Sequence, residues 1–285
     1  MIEHILTILS IMVLPVVLLG GCSVVDEGPA ALGRHDICQY SQDLNHPGYQ
    51  SAQISYPCDH ASKPFPAVTV LGGYTNVKEH MYWLSHHIVS HGYIVITITP
   101  TSVFGQPSIW ETAQHAGIEK LLSENNNASS PIAGIVNPHA LGVIGFSFGG
   151  SAAIKIASKL GDDLQVAIGI SPHIGNPEDR EFPTMTASTL LVSGNRDATA
   201  SPAMVTGIYN GLPEPTNRLF ALLNTPAHTS DTESNRNKYQ TLITSWLKTY
   251  LDGDDCYSSY LYGTKHLQNE KNHWFSNYLS SRHIP

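Results

Sequence analysis

The hydrophobic residues of this chain fall into short uninterrupted runs, and amphipathic stretches separate these runs. An apolar run without polar alternation is typical of a strand buried on both faces of a sheet. The runs predict buried strands over 67–72, 93–99, 143–146, 164–170, 189–193 and 218–223. An alternating stretch predicts an earlier strand over 51–56, and helices are predicted over 77–91, 108–122, 151–160, 202–210 and 237–251. Because strands and helices alternate, we expect an α/β fold with a mostly parallel sheet covered on both faces.

Two of the predicted helices begin at capping signals. Asn76 stands directly before the first helix, and Gly92 follows its last residue. An asparagine can accept a hydrogen bond from the first turn, and a glycine readily ends a helix. Ser108 and Glu111 have the spacing of a capping box, which predicts that Ser108 lies just before the second helix.

The composition fits one domain with no affinity for nucleic acid. The chain has 285 residues and a mass of 31.0 kDa, which is enough for one large core and short for two domains. Charged residues are only 13% of the total, and the formal net charge is −8. Because no run of Lys and Arg occurs, nucleic acid is not an expected partner.

The first residues resemble an export signal. An apolar run over 5–19 is shorter than the roughly 20 residues of a membrane-spanning helix. It leads into Leu19-Gly20-Gly21-Cys22, and small residues before a cysteine are similar to a bacterial lipoprotein signal. On this interpretation Cys22 carries a lipid, and that anchor is the only contact with a membrane. No Lys or Arg precedes the run, so an ordinary secretory signal or an uncleaved anchor stays open.

These features divide the chain into a signal over 1–22, a polar tether over 23–50, a folded domain over 51–262 and a tail over 263–285. Export favours disulfides. Cys38 and Cys58 lie about twenty residues apart and can close a loop. If Cys22 carries lipid, an odd number of cysteines remains, so they cannot all pair among themselves.

The strand predicted over 143–146 leads into a G-x-S-x-G motif formed by Gly145, Ser147 and Gly149. A serine at a sharp strand-to-helix turn has strained backbone angles, and side chains two positions away on either side would clash. Glycine removes both clashes. The turn raises the serine hydroxyl above the sheet and directs the Phe148 N–H towards the same space. The motif therefore predicts that Ser147 is a nucleophile. The alternative is that the glycines form a structural turn and the serine has no chemical role.

A serine needs a base, and the base needs an acid that orients it. Asp197 follows the strand predicted over 189–193, and His228 follows the strand predicted over 218–223. Both therefore lie at the carboxyl ends of strands, where α/β sites form. The chain order serine, acid, histidine is the one expected after a serine on such a turn. We expect a Ser147–His228–Asp197 triad. The alternative for Asp197 is a purely structural aspartate, because Gly194-Asn195-Arg196-Asp197 is also a common turn sequence.

Other residues compete for these roles. The alternatives for the histidine are His173, His266 and His273, and those for the acid are Asp231 and Glu233. His173 precedes Asp197, against the expected order, and the other four lie in a polar loop or in the tail. Tyr74, in the loop after the 67–72 strand, is the candidate for the second oxyanion donor through its backbone N–H. Its ring can also flank an acyl group or simply pack beneath the loop.

A metal site is the remaining chemical alternative. His87 and His91 are four residues apart on a predicted helix, next to His86, and this spacing suits a pair of zinc ligands. No H-E-x-x-H motif and no third ligand accompany them. We expect ordinary helix histidines and no metal.

Several longer stretches resemble the bacterial cutinase-like polyester hydrolases, the family that includes the PET hydrolases. The similarity runs from about 50 to 262. The stretches that carry it are Gly72-Gly-Tyr-Thr75, Leu84-Ser-His-His-Ile-Val-Ser-His-Gly-Tyr-Ile-Val-Ile-Thr97, Ser129-Ser-Pro-Ile-Ala-Gly134, Gly142-Val-Ile-Gly-Phe-Ser-Phe-Gly-Gly150 and Trp246-Leu-Lys-Thr-Tyr-Leu-Asp-Gly-Asp254. The resemblance implies an α/β-hydrolase fold without a lid domain, the triad named above, and Tyr74 and Phe148 as oxyanion donors.

Three positions depart from the family pattern. Phe146 stands where the family usually has His or Trp, and Phe148 stands where Met is usual. The family's wall tryptophan is absent, and His173 or Ile174 takes its place. With Tyr74, these residues are the expected substrate-binding set. The departures bear on an aromatic polymer subsite and leave the triad untouched.

The resemblance implies an exported, monomeric serine ester hydrolase that needs no metal or cofactor. Its expected substrates are short- to medium-chain esters, with aliphatic polyesters ahead of PET. One alternative is an esterase of small substrates, similar to dienelactone hydrolases or chlorophyllases, with the same triad. The other is a non-catalytic surface lipoprotein that keeps the fold for binding, since a fold does not determine a function.

Overall fold

A computed structural model describes residues 28–59, 64–225, 228 and 233–282 of the chain. The predicted signal over 1–22, with Cys22, lies outside the described residues. So does Asp231, one of the alternatives for the acid.

The described residues form one nine-stranded sheet. Its order is β1-β2-β4-β3-β5-β6-β7-β8-β9. All pairings between β4 and β8 in that order are parallel, whereas β1–β2, β2–β4 and β8–β9 are antiparallel. The strands are β1 Ile37–Tyr40, β2 Tyr49–Pro57, β3 Phe65–Leu71, β4 Ile94–Pro100, β5 Val136–Phe146, β6 Val166–Ile170, β7 Ser188–Gly194, β8 Arg218–Leu223 and β9 Phe275–Ser281.

Helices cover both faces of this sheet, as expected for an α/β-hydrolase fold. They are α1 Tyr82–Ser90, α2 Ser108–Asn126, α3 Phe148–Leu160, α4 Pro202–Asn210, α5 Glu233–Tyr250, α6 Ser259–Tyr262 and α7 Thr264–Lys271. Helices α2, α3 and α4 contribute to one hydrophobic core, and α1, α5 and α6 contribute to the other. One core lies on each face of the sheet, so the central strands are buried on both sides. This burial explains their unbroken apolar runs.

The sheet extends at both ends beyond the elements predicted from the hydrophobic pattern. Strand β1 lies within 23–50, where a tether was expected, and β9 lies within 263–285, where a tail was expected. Both are edge strands with many half-buried or exposed residues. A strand that faces solvent at a sheet edge carries a weaker hydrophobic signal than a central one.

Two predicted helix caps differ from the structure. A 3-10 turn over Lys78–Met81 precedes α1, and the Asn76 side chain accepts a hydrogen bond from Gly73 N–H at 2.9 Å instead of capping a helix. Ser108 is the first residue of α2, after Pro107, and no side chain caps that helix. The capping-box prediction at Ser108 is therefore wrong. A proline at the helix start replaces the cap because its fixed φ suits that position.

The helix histidines tie the start of the described chain to α1. His87 Nε2 lies 3.0 Å from Pro29 O, and His91 Nε2 lies 2.9 Å from Ala31 O. Burial lowers the pKa of His87 to about 3 and that of His91 to about 4. Both rings are therefore neutral at pH 7, and each donates its Nε2–H to a carbonyl. These contacts give the two histidines a structural role.

Cys38 and Cys58 are joined by a disulfide that links β1 to the end of β2. No cysteine among the described residues is a free thiol, and this includes Cys256. One cysteine was expected to remain unpaired if Cys22 carries a lipid, but every cysteine in this part of the chain is in a disulfide. In the portion that the structure describes, no helix has the length and apolar character needed to cross a bilayer.

Candidate active site

The G-x-S-x-G motif forms the corner between β5 and α3. Ser147 has φ +54° and ψ −117°, a backbone conformation that L-residues rarely adopt. A Cβ on Gly145 would lie 2.0 Å from the Gly149 carbonyl oxygen, and a Cβ on Gly149 would lie 2.3 Å from the Leu71 carbonyl oxygen. Either methyl group would force the backbone apart. The two glycines therefore allow β5, α3 and the end of β3 to meet tightly around the serine.

Three side chains from three loops converge at this corner. His228 Nε2 lies 3.0 Å from Ser147 Oγ, and His228 Nδ1 lies 2.7 Å from Asp197 Oδ2. Asp197 follows β7 and His228 follows β8, so the parallel strands bring both loops to the edge where β5 ends. An imidazole held between a hydroxyl and a carboxylate can accept the hydroxyl proton while the carboxylate stabilises the resulting cation.

The surroundings of Asp197 favour its ionised form. Burial by itself raises the pKa of this carboxyl, but the hydrogen bond to His228 and the N–H groups of Ala200 and Thr199 outweigh it and hold the pKa below its usual value. Those two N–H groups donate to Asp197 Oδ1 at 2.8 and 2.9 Å. Asp197 Oδ1 thus anchors the carboxylate to its own loop, and Oδ2 remains for the imidazole.

Two backbone N–H groups flank the serine. Phe148 is the first residue of α3, where the N–H groups of a helix have no partner within the helix. In the loop after β3, Thr75 N–H donates to Val103 O, and Asn76 N–H donates to Gly73 O. For the N–H groups of Tyr74 and Phe148, we find no acceptor among the described residues. Such a pair can receive the negative oxygen of a tetrahedral intermediate.

The same loop approaches the serine closely through a glycine. A Cβ on Gly73 would lie 2.6 Å from Ser147 Cβ and 3.2 Å from Ser147 Oγ. Any larger residue would displace the hydroxyl or the loop. Gly73 therefore sets how near the Tyr74 loop can come to Ser147 Oγ.

Aromatic rings surround this corner. The Phe146 ring packs against the His228 ring at 4.9 Å, so Phe146 supports the histidine. The Phe148 ring contacts Tyr74 at 6.0 Å and His173 at 5.4 Å. Burial lowers the pKa of His173, so this ring is neutral at pH 7. Of the two residues offered for the missing wall tryptophan, His173 lies beside Phe148, whereas Ile174 is 3% exposed and belongs to the core.

Two asparagines near the site were not singled out from the sequence. Asn195 Nδ2 donates to Asn224 Oδ1 at 3.1 Å, which links the loop of Asp197 to the loop of His228. Asn224 Nδ2 donates to the carbonyl oxygens of His273 and Phe275. The segment before β9 therefore braces the histidine loop. Asparagine in a turn is too common for the sequence to have distinguished these two.

Two further aromatic residues near the site were not predicted from the sequence. Trp110 is buried behind Tyr74 and Phe148, with ring centroids 6.3 and 5.1 Å from theirs. Phe104 follows β4 and contacts Tyr74 at 5.6 Å. The sequence could have indicated Phe104 by its position, because a bulky aromatic residue in the loop after a central strand lies at the edge of the sheet where α/β sites form.

The alternatives for the triad lie elsewhere or outside the described residues. His266, on α7, packs on Tyr278 at 4.1 Å and lies 3.4 Å from Glu270. His273 lies in the turn before β9, and Glu233 begins α5. His173 contacts Phe148 but makes no hydrogen bond to Ser147 Oγ among the described contacts. His228 is therefore the histidine that the structure brings to the serine.

The sheet order is that of an α/β-hydrolase fold, and the corner at Ser147 and the converging loops form its candidate site. The family model described as "PETase: PET hydrolase-like" matches residues 27–279. The chain belongs to this family, and it is a carboxylic-ester hydrolase.

Several relatives are similar over most of the chain. Cutinase est2 of Thermobifida alba is 27% identical over 235 residues, which cover 82% of this chain and 74% of the relative. Cutinase 1 of Thermobifida cellulosilytica is 27% identical over 238 residues, covering 82% and 84%. A bis(hydroxyethyl) terephthalate hydrolase of Streptomyces coelicolor is 30% identical over 215 residues, covering 75% and 66%. These comparisons favour neither the small-substrate esterase nor the non-catalytic lipoprotein.

Proposed function

We propose that this ester hydrolase works through an acyl-enzyme on Ser147. His228 is the general base, Asp197 orients and stabilises the imidazole, and the N–H groups of Tyr74 and Phe148 bind the oxyanion. The observation that carries the proposal is the pair of contacts from His228, 3.0 Å to Ser147 Oγ and 2.7 Å to Asp197 Oδ2. Two hydrogen bonds on opposite nitrogens of one imidazole are what this chemistry requires.

In the proposed mechanism, Ser147 Oγ attacks the ester carbonyl carbon while His228 Nε2 takes the hydroxyl proton. The carbonyl oxygen becomes an oxyanion between the two backbone N–H groups. When the tetrahedral intermediate collapses, the C–O bond to the alcohol breaks and His228 returns the proton to the leaving oxygen. Water then attacks the acyl-enzyme by the same route, with His228 as base, and releases the acid and Ser147.

We propose short- to medium-chain esters and aliphatic polyesters as the substrates, with PET as a poorer one. Relatives are named cutinases and a bis(hydroxyethyl) terephthalate hydrolase, which supports ester and polyester substrates in general. The rings of Tyr74 and Phe148 make the surface beside Ser147 apolar, and burial of each substrate methylene contributes about 0.8 kcal/mol. His173 offers a smaller ring than tryptophan for stacking on a terephthalate group.

The direct test is a profile of kcat/KM across p-nitrophenyl esters of increasing acyl length, followed by hydrolysis of an aliphatic polyester film and an amorphous PET film. We expect activity on the esters and faster loss of the aliphatic film. Hydrolysis of none of these substrates would overturn the proposed function. Equal rates on both films would overturn the proposed preference alone.

The substitution His173→Trp is expected to raise PET hydrolysis relative to butyrate ester hydrolysis by up to about tenfold. The reason is that a stacked aromatic pair contributes roughly 0.5–1.5 kcal/mol beyond area burial. The measurement is the ratio of soluble PET products to p-nitrophenyl butyrate turnover. His173→Leu serves as the control because it is apolar without a flat ring. If the leucine variant gains as much as the tryptophan variant, stacking is not the cause.

We also propose that the chain is exported. A lipid anchor on Cys22 in the outer membrane is a separate prediction, and it competes with a disulfide, because Cys256 is not a free thiol and a lipidated Cys22 could not pair with it. The disulfide between Cys38 and Cys58 supports an oxidising compartment. Ser23 follows Cys22, where an inner-membrane retention signal would have Asp. In cells fed an alkyne fatty acid, we expect label on the wild type and on Ser23→Ala, and none on Cys22→Ser. An unlabelled wild type, or a Cys22 found in a disulfide by mass spectrometry, would contradict the anchor.

A further inference from the structure

The aromatic surface beside Ser147 extends beyond the residues assigned so far. Phe104 is 58% exposed although it is a large apolar side chain, and its neighbour Tyr74 is 50% exposed. Their ring centroids are 5.6 Å apart in an edge-to-face arrangement. Tyr74 in turn contacts Phe148, and Phe148 contacts His173. Four rings thus form one continuous strip beside Ser147, with Phe104 at one end and His173 at the other.

The backbone holds Phe104 in this exposed position. Val103 O accepts the Thr75 N–H at 2.8 Å, which ties the Phe104 loop to the Tyr74 loop. Ser102 Oγ donates to Phe104 O at 2.6 Å and accepts the Phe104 N–H at 3.1 Å. The ring therefore stands at a set place beside Tyr74, where exposing an apolar surface has a cost unless a ligand covers it.

The support beneath the strip is rigid. Trp110 is fully buried and contacts both Tyr74 and Phe148 from behind. Neither ring can sink into the core without displacing the indole, so the strip stays at the surface. A rigid apolar surface loses little entropy when an alkyl chain lies on it.

We propose that Phe104 is a specificity-determining residue that binds the distal carbons of a long acyl chain. This inference rests on the proposed function, in which the ester carbon lies at Ser147 beside the rings of Tyr74 and Phe148, and it adds that the acyl group runs along Tyr74. A short acyl group ends at Tyr74 and does not reach Phe104. A longer chain continues onto the Phe104 ring and buries further methylene groups there. The residue thus extends the substrate class from short esters to medium-chain esters and to the repeating units of an aliphatic polyester.

The test compares Phe104→Ala with the wild type on p-nitrophenyl acetate, butyrate, octanoate and decanoate. We expect kcat/KM on acetate and butyrate to change less than about twofold. On decanoate we expect a loss of about tenfold, mainly through KM, which corresponds to two methylene groups that lose their contact. Phe104→Leu, which keeps an apolar side chain, should recover most of that loss.

The matched control is Leu267→Ala, because Leu267 is 52% exposed and lies on α7, which contributes no ring to the strip. It should leave the whole chain-length profile unchanged. If Phe104→Ala lowers all four esters equally, or lowers none, the inference is overturned while the proposed function stands. If the wild type hydrolyses none of the four esters, the proposed function itself is wrong, and the inference that rests on it is wrong as well. An unchanged melting temperature in all variants excludes a loss of fold.

Discussion

Replacement of Ser147 by alanine is expected to lower kcat for ester hydrolysis by about 10⁶-fold. The substitution removes the oxygen that His228 contacts at 3.0 Å and leaves the Cβ, so the corner between β5 and α3 keeps its packing. No other group in the proposed mechanism can form the acyl-enzyme. The remaining rate comes from the oxyanion donors and from substrate binding, which act on a direct attack by water.

Kinetics and covalent labelling check this expectation together. A fluorophosphonate probe should label the wild type and the control Ser158→Ala, in which a buried serine of the same helix α3 is replaced. Ser147→Ala should show no label. Labelling that survives in Ser147→Ala would place the nucleophile at another residue.

Replacement of Asp197 by alanine is expected to lower kcat by about 10⁴-fold, less than the loss at Ser147. Without the carboxylate, the imidazole loses its 2.7 Å partner at Nδ1, so both its orientation and its protonated form are less stable. Because the pKa of Asp197 lies below its usual value, this carboxylate is ionised at every pH where the enzyme would be assayed. The wild-type rate should therefore not fall through protonation of Asp197 until strongly acidic pH.

The measurement is steady-state kinetics on p-nitrophenyl butyrate, with Asp162→Ala as the control because Asp162 is an exposed aspartate beyond the end of α3. The control should retain wild-type kcat. Fluorophosphonate labelling of Asp197→Ala should be slow but should still occur at Ser147. A loss smaller than about tenfold would mean that another acid serves His228, and Asp231 would be the next residue to replace.

The central elements of the fold follow from local sequence patterns. The predicted helix over 202–210 and strand over 218–223 coincide with α4 Pro202–Asn210 and β8 Arg218–Leu223. A strand buried on both faces needs a continuous apolar run, and that need is visible in the sequence itself. The edge strands β1 and β9 could not be recognised in this way, because they are held by pairing with a neighbour and not by an apolar run of their own.

The candidate site likewise has features that the sequence predicts and features that only the structure shows. The glycines around Ser147 and the chain order Ser147, Asp197, His228 are local or sequential features, so the sequence alone predicted this set, and the structure brings the three side chains together. Their catalytic roles stay predictions until the substitutions are measured. The sequence could not choose between His173 and Ile174, because neighbouring residues in a loop point in different directions according to the backbone. In the structure Ile174 enters the core and His173 contacts Phe148.

The sequence by itself thus determined the α/β architecture, the corner at the serine and the candidate triad, because burial on both faces of a strand and steric strain at a turn act within a few residues. The tertiary structure alone decided which other distant residues meet around the triad. The bond between Asn195 and Asn224 joins residues 29 positions apart, and the strip from Phe104 to His173 joins four separate loops or helix ends. Such contacts arise only when parallel strands bring their carboxyl ends to one edge of the sheet, which no local pattern in the sequence encodes.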